Sequence, residues 1–164
     1  MSYQRLVSQA LDDEHRANLD LLGRVEQAFA HAPFRDGVLD PALVGMVRGL
    51  GQHLRHDIGR HFDFEERELF PLLEAAGEGD IAALLKEEHD AIRVVGTEVL
   101  PLLDRVDAAT LDRAGFDALK RSVLELVERQ LAHIQKETMA LLPMLDDVLD
   151  EAMDRTLAMA YASS

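Results

Sequence analysis

Apolar residues recur three or four apart along most of the chain, and the stripes they form are long enough to be helices. From residue 3 to residue 30 the stripe runs through Leu6 or Val7, Leu11, His15, Leu19, Leu22, Val25 and Phe29. It stops at Ala32-Pro33, and residues 34–38, with Asp36-Gly37, read as a loop. Asp40-Pro41 opens a second helix, with Asp40 as N-cap and Pro41 at the first position, where its missing N–H is not needed. That helix runs to about residue 74 through Leu43, Met46 or Val47, Leu50, Leu54, Ile58, His61, Glu65, Leu69 and Leu72, and Gly77 falls in the turn after it. The third helix is predicted to start with Asp80 as its N-cap and carries Ile81, Leu84 or Leu85, His89, Ile92, Val95, Val99 and Leu103, with Pro101 expected to kink its end. After a connection over 107–112, the fourth carries Phe116, Leu119, Val123, Leu126, Gln130, His133, Glu137 and Leu141. A shorter amphipathic tail over 144–160 (Leu145, Val148, Leu149, Met153, Leu157) is placed to cap the other helices or to make a homodimer contact.

Four long helices joined by short connections predict an all-α fold: an up-down-up-down four-helix bundle over about 3–143, with a short C-terminal helix, in a single domain. Ala, Leu, Glu, Asp and Arg dominate, and β-branched runs are scarce, which agrees with that class. A formal net charge of −14 argues against a nucleic-acid partner and against an anionic membrane surface. The chain has no Cys, which removes disulfides, thiolate metal sites and thiol nucleophiles, and a cytoplasmic location is the expectation. No apolar run is long enough to span a bilayer.

Several polar residues sit in stripes meant for a core. His61 and Glu65 stand four apart, as do His133 and Glu137, so each pair shares one helix face. Each pair is followed, ten residues after its His, by Pro71 or Pro143. His15 precedes the first pair by one helical hairpin, and His89 precedes the second in the same way. At 1.5 Å per residue all four His fall ~14–20 Å from the same end of an antiparallel bundle, which is one level. Four imidazoles and two carboxylates buried together need partners, and metal ions supply them. Four nitrogens with two carboxylates suit a pair of iron, manganese or zinc ions. If each carboxylate bridges, each ion receives two His nitrogens and two oxygens. A solvent-derived bridge then leaves an octahedral ion about one open position.

Glu14-His15, His61-Phe-Asp-Phe-Glu65 with Leu69-Phe70-Pro71, Glu88-His89, and His133-Ile-Gln-Lys-Glu137 with Leu142-Pro143 together resemble the hemerythrin-like family, the HHE cation-binding domains. The resemblance covers nearly the whole chain, to about residue 145. It implies a helical bundle holding two iron ions joined by an oxo or hydroxo group. His15, His61, His89 and His133 would be terminal ligands, and Glu65 and Glu137 bridging ones. It further implies a small diatomic ligand, O2 or nitric oxide, or peroxide as the partner. Oxygen-carrying members have a fifth His on the third helix. Here the positions four away from His89 hold Arg93 and Leu85. Glu14, Glu88, Asp57 or water are the candidates to stand in. The smaller His set resembles bacterial branches that handle nitric oxide, peroxide or iron. Peroxide breakdown, nitric oxide reduction, iron donation and a metal-responsive interaction module are therefore the alternative roles.

The neighbours carry less. His53 and His56 rotate away from the stripe and read as surface or flank residues, and His31 suits the end of its helix, where a cation favours the dipole. Asp57 and Gln130 are candidates to hold ligand ring N–H groups. Arg93 reads as a partner for an acidic neighbour or as lining an access path, and Phe62, Phe64 and Phe70 as core. A ferritin-like centre would need Glu-x-x-His on two helices, and the order and spacing here are different.

Overall fold

The computed structural model describes residues 3–31, 34, 39–107 and 111–164, without the side chains of Asp57 and Asp107. The predicted turn at Asp36-Gly37 and the role suggested for Asp57 lie outside that description. The described chain is helical, with α1 over Leu6–His31 and α2 over 41–75. Helix α3 covers Gly79–Asp107, α4 covers 113–148 and α5 covers Glu151–Ser163. Helix α1 packs on α2, α4 and α5, while α3 packs on α2 and α4. Among the described residues no helix is long and apolar enough to cross a membrane.

Local chemistry places the ends. Asp40 caps α2 by accepting the Ala42 N–H at 2.8 Å, as expected. Asp112 does the same for α4 through Gly115. Asp80 is not a cap, because α3 begins one residue earlier at Gly79 and Asp80 lies in its first turn. Gly77 takes a φ of 90°, a left-handed conformation that a residue without a Cβ adopts at little penalty, and it closes the α2–α3 turn. Helix α3 continues through Pro101 to Asp107. The tail departs further from expectation. Helix α4 runs past Pro143 to Val148, and the chain turns at Leu149, which is extended. Asp150 then caps α5 by accepting from Ala152 and Met153.

Two prolines are absorbed by the same device. In both long ligand-bearing helices a π-helical turn begins at the stripe glutamate: Glu65–Leu69 before Pro71 and Glu137–Leu141 before Pro143. The Phe70 N–H reaches the Glu65 carbonyl, and the Leu142 N–H reaches that of Glu137, five residues back in each case. A five-residue register makes room where a proline ring would clash with the carbonyl four residues before it. A third π-helical turn, Asp57–His61, lies just before the first Glu.

Apolar side chains form two clusters separated by a polar layer. One gathers Leu22 to Phe29, Leu43 to Phe62, Ile92 to Val106 and Phe116 to Ile134. The other gathers Val7, Leu11, Phe64 to Leu73, Ala82, Leu85 and Leu141 to Leu157. On every one of α1 to α4 the change from one cluster to the other falls at a stripe His or His–Glu pair. Near this layer Gly96 of α3 leaves room for Ile58 of α2, whose Cδ1 would have to shift for an added Cβ that would lie 2.6 Å from it.

The first turn of α1 is capped from a distance. Asp154 of α5, itself 5 % exposed, accepts the Leu6 and Val7 N–H groups at 2.8 and 3.0 Å. Asp146 of α4 takes those of Gln4 and Arg5. These are the donors a helix N-terminus leaves without intrahelical partners. Asp154→Ala is expected to lower the stability of the metal-free protein by about 1–2 kcal/mol, read as a denaturant midpoint shift at constant slope. An unchanged midpoint would show that water replaces the cap without loss.

Candidate metal centre

All six predicted residues come together in the polar layer. His15, His61, Glu65, His89, His133 and Glu137 are each at most 4 % exposed. Helix geometry explains the two i, i+4 pairs, with His61 Nε2 3.1 Å from Glu65 Oε1 and His133 Nε2 2.8 Å from Glu137 Oε1. The remaining contacts are tertiary. His15 Nε2 lies 3.1 Å from Glu137 Oε2, and His89 Nε2 lies 3.2 Å from Glu65 Oε2 and 3.5 Å from Glu137 Oε1.

Their donor atoms fall into two groups, each with all atoms within 4.8 Å of one another. One is His15, His61, Glu65 and Glu137, and the other is Glu65, His89, His133 and Glu137. Both carboxylates belong to both groups. The rings and carboxylates approach without hydrogen-bond geometry. The Nε2 atoms of His15, His89 and His133 and all four oxygens of Glu65 and Glu137 are buried without a hydrogen-bond partner. Buried polar atoms normally have one, and so many orphans in one place fit a site built to hold a cation. A hard-to-borderline divalent or trivalent ion fits nitrogen and carboxylate donors in this proportion.

The outer face of each ring is held. His15 Nδ1 meets Thr138 Oγ1 at 3.0 Å, and His61 Nδ1 meets the Tyr161 hydroxyl at 3.1 Å. His89 Nδ1 meets Glu66 Oε1 and His133 Nδ1 meets Glu88 Oε2, each at 2.9 Å. A neutral ring with its N–H directed outward at Nδ1 turns its Nε2 lone pair toward the shared carboxylates, the tautomer that ligation through Nε2 requires. Cations steady the outer carboxylates in turn: Arg93 and Lys86 on Glu66, and Lys136 on Glu88.

Charge follows this arrangement. Burial alone would lower the His133 pKa, but Glu137, Glu88 and Glu65 push it up to about 10. Burial also opposes protonation of His61, and Glu65, Glu14 and Glu137 overcome it and hold the ring well above its ordinary value. His89 is raised despite its burial, by Glu137 and Glu65. Burial would raise the Glu137 carboxyl, yet His133, His15 and His89 hold it well below the usual carboxylate range.

Some neighbours take other places than expected. Glu14 and Glu88 do not stand in for a fifth His, because they meet His61 and His133 at Nδ1, on the side away from the shared carboxylates. Their short side chains on α1 and α3 reach the neighbouring helix and not the layer's centre. Gln130 is buried, but its carbonyl oxygen has no partner, and the four Nδ1 atoms are held by other residues. Arg93 pairs with Glu66, Asp90 and Asp63 and lies over the Phe62 ring. Phe62 stacks on His89 at 3.8 Å between centroids, so it is both core and a wall of the site. His56 is exposed. Thr138, Glu66 and Tyr161 were not legible as site residues. Thr138 and Glu66 each directly follow a stripe Glu, which is the one local signal they offer.

Fold and site together define a helical, cation-binding protein whose donors are imidazole and carboxylate. The family model of the hemerythrin HHE cation binding domain matches residues 6–145, and the chain belongs to that family. No curated protein matches the chain significantly.

Proposed function

We propose that the chain is a non-haem di-iron protein that binds O2, nitric oxide or peroxide. The carrying observation is that two donor groups share both of their carboxylates. In this reading His15 and His61 hold one ion and His89 and His133 the other, while Glu65 and Glu137 bridge them and a solvent-derived oxo or hydroxo group completes the pair. An iron pair so bound supplies redox-active centres with about one open position per octahedral ion. The residues of the chain orient the rings through Nδ1, neutralise charge and enclose the site between two apolar clusters that keep bulk water away. The alternation of those clusters along α1 to α4 supports an up-down-up-down four-helix arrangement: α1 and α3 run from the second cluster to the first, and α2 and α4 run back.

Protein made in iron-supplied cells is expected to contain about two irons per chain by elemental analysis. The anaerobic Fe(II) form is expected to change its visible spectrum with at least one of O2, nitric oxide and peroxide. One metal per chain, or silence toward all three ligands, would sink this reading.

A further inference from the structure

Helix α5 lies beyond the residues matched to the family, which end at 145. It is nevertheless built into the site. Asp154 anchors it on the first turn of α1, and Leu157 packs into the cluster beneath the polar layer. Two helical turns after Asp154, on the same face, stands Tyr161. Its ring packs on Phe64 at 4.8 Å and on His61 at 6.1 Å between centroids.

The hydroxyl does something specific. It donates a hydrogen bond to the Glu14 carboxylate, so its oxygen lone pair is free to accept the His61 Nδ1–H at 3.1 Å. The relay His61–Tyr161–Glu14 leaves the His61 Nε2 lone pair directed at the Glu65 side. The other three rings take their outer partners, Thr138, Glu66 and Glu88, from within the matched residues. His61 alone of the four is hydrogen-bonded by a residue of the tail. Glu14 Oε1 is also 3.4 Å from His61 Nδ1, but Glu14 is 22 % exposed and is turned toward His56 as well. The phenol ties that carboxylate down.

We infer that Tyr161 is a positioning residue for His61, which makes the C-terminal helix a component of the metal centre and not an appendage to it. This rests on the metal-pair reading above. It assigns the tail a role specific to one ion, the one held by His15 and His61. Removing a partner of this kind from a metal-bound imidazole lowers metal affinity about 10–100-fold.

The test uses Co(II) alone as the probe, titrated into the metal-free full chain and followed by its visible absorption. Tyr161→Phe keeps the ring on Phe64 and removes only the hydroxyl. It is expected to bind one Co(II) as the wild type does, to bind the other about 10–100-fold more weakly, and to show an altered spectrum at saturation. Leu157→Ala loosens the packing of α5 and leaves the phenol in place. It is expected to melt at a lower temperature without metal, yet to reach the wild-type Co(II) spectrum. Wild-type affinities and spectrum in Tyr161→Phe would overturn the inference alone. The same would follow if Leu157→Ala reproduced the Tyr161→Phe spectrum, since the effect would then be tail packing. A wild-type chain that binds fewer than two Co(II) would overturn the metal pair itself.

Discussion

Replacing Glu137 with alanine is expected to remove both ions of the proposed pair from the loaded protein, not one. Glu137 offers Oε1 to His133 and His89 and Oε2 to His15, so its two oxygens reach into both donor groups. A terminal ligand lost from one ion leaves the other with its donors, whereas a lost bridge takes an oxygen from each. Glu65 occupies the matching place, with Oε1 toward His61 and Oε2 toward His89, and Glu65→Ala should behave alike. Iron per chain is expected to fall from about two to below one, measured after passage over a desalting column. His56→Ala, changing an exposed ring, should keep its iron. The metal-free protein is affected as well. Removing one partner of a buried ion pair costs about 3–5 kcal/mol when the other charge must stay. The imidazoles can instead shed their protons, so the loss at neutral pH should lie at the low end of that range. Full iron occupancy in Glu137→Ala would show that the carboxylate does not bridge.

The second large effect is a divergence between the loaded and metal-free proteins as pH rises. His133, with its pKa at about 10, and His61 and His89, also raised, bind protons in the fold that they would not hold when unfolded. A group raised in this way stabilises the fold fully below its unfolded value, about 6.5 for His, and the contribution is lost as pH climbs through the folded value. Glu137 works in the other sense. Its depressed carboxyl contributes above the unfolded value of about 4.3, and that contribution is lost as pH falls through the folded one. The metal-free protein should therefore draw most stability from this layer between about pH 4.5 and 6.5 and lose it steadily toward pH 10. Metal binding must displace the same protons, so affinity should rise with pH, by roughly tenfold per unit for each proton displaced. The melting gap between loaded and metal-free protein should widen from pH 6 to pH 8. A constant gap would mean that the rings are already neutral when the metal arrives. It would also mean that the carboxylates do not hold protons on them.

Much of this was readable along the chain because helical periodicity is a local property. His61 and Glu65, or His133 and Glu137, need only 3.6 residues per turn to share a face, and no knowledge of the fold. His15 and His89 were readable through repetition: each stands in an apolar stripe one hairpin before a His–Glu pair. The start of α2 at Asp40-Pro41 was readable because a cap and its first-position proline depend on neighbouring residues only. The start of α3 was placed one residue late. The run of α4 past Pro143 was missed, since the relief of that proline by a π-helical turn leaves no mark in the hydrophobic pattern.

The outer partners of the rings belong to the other category. Glu14 and Glu88 were visible beside His15 and His89 as candidates to stand in for a fifth His, yet each meets the Nδ1 of a His on a different helix. Thr138 and Glu66 gave no periodic signal, and Tyr161, four residues after Leu157, signalled only packing, because a hydrogen bond between helices depends on their relative rotation and height, which no single stripe encodes. The sequence alone determined the helices, the layer of six donors and the chemistry that such donors can hold, all of which follow from spacing along one helix or its repetition in the next. Only the tertiary structure decided which carboxylate faces which ring, that both donor groups share Glu65 and Glu137, and that α5 brings Tyr161 to His61. Those facts are distances between segments far apart in the chain, set by how the apolar clusters pack.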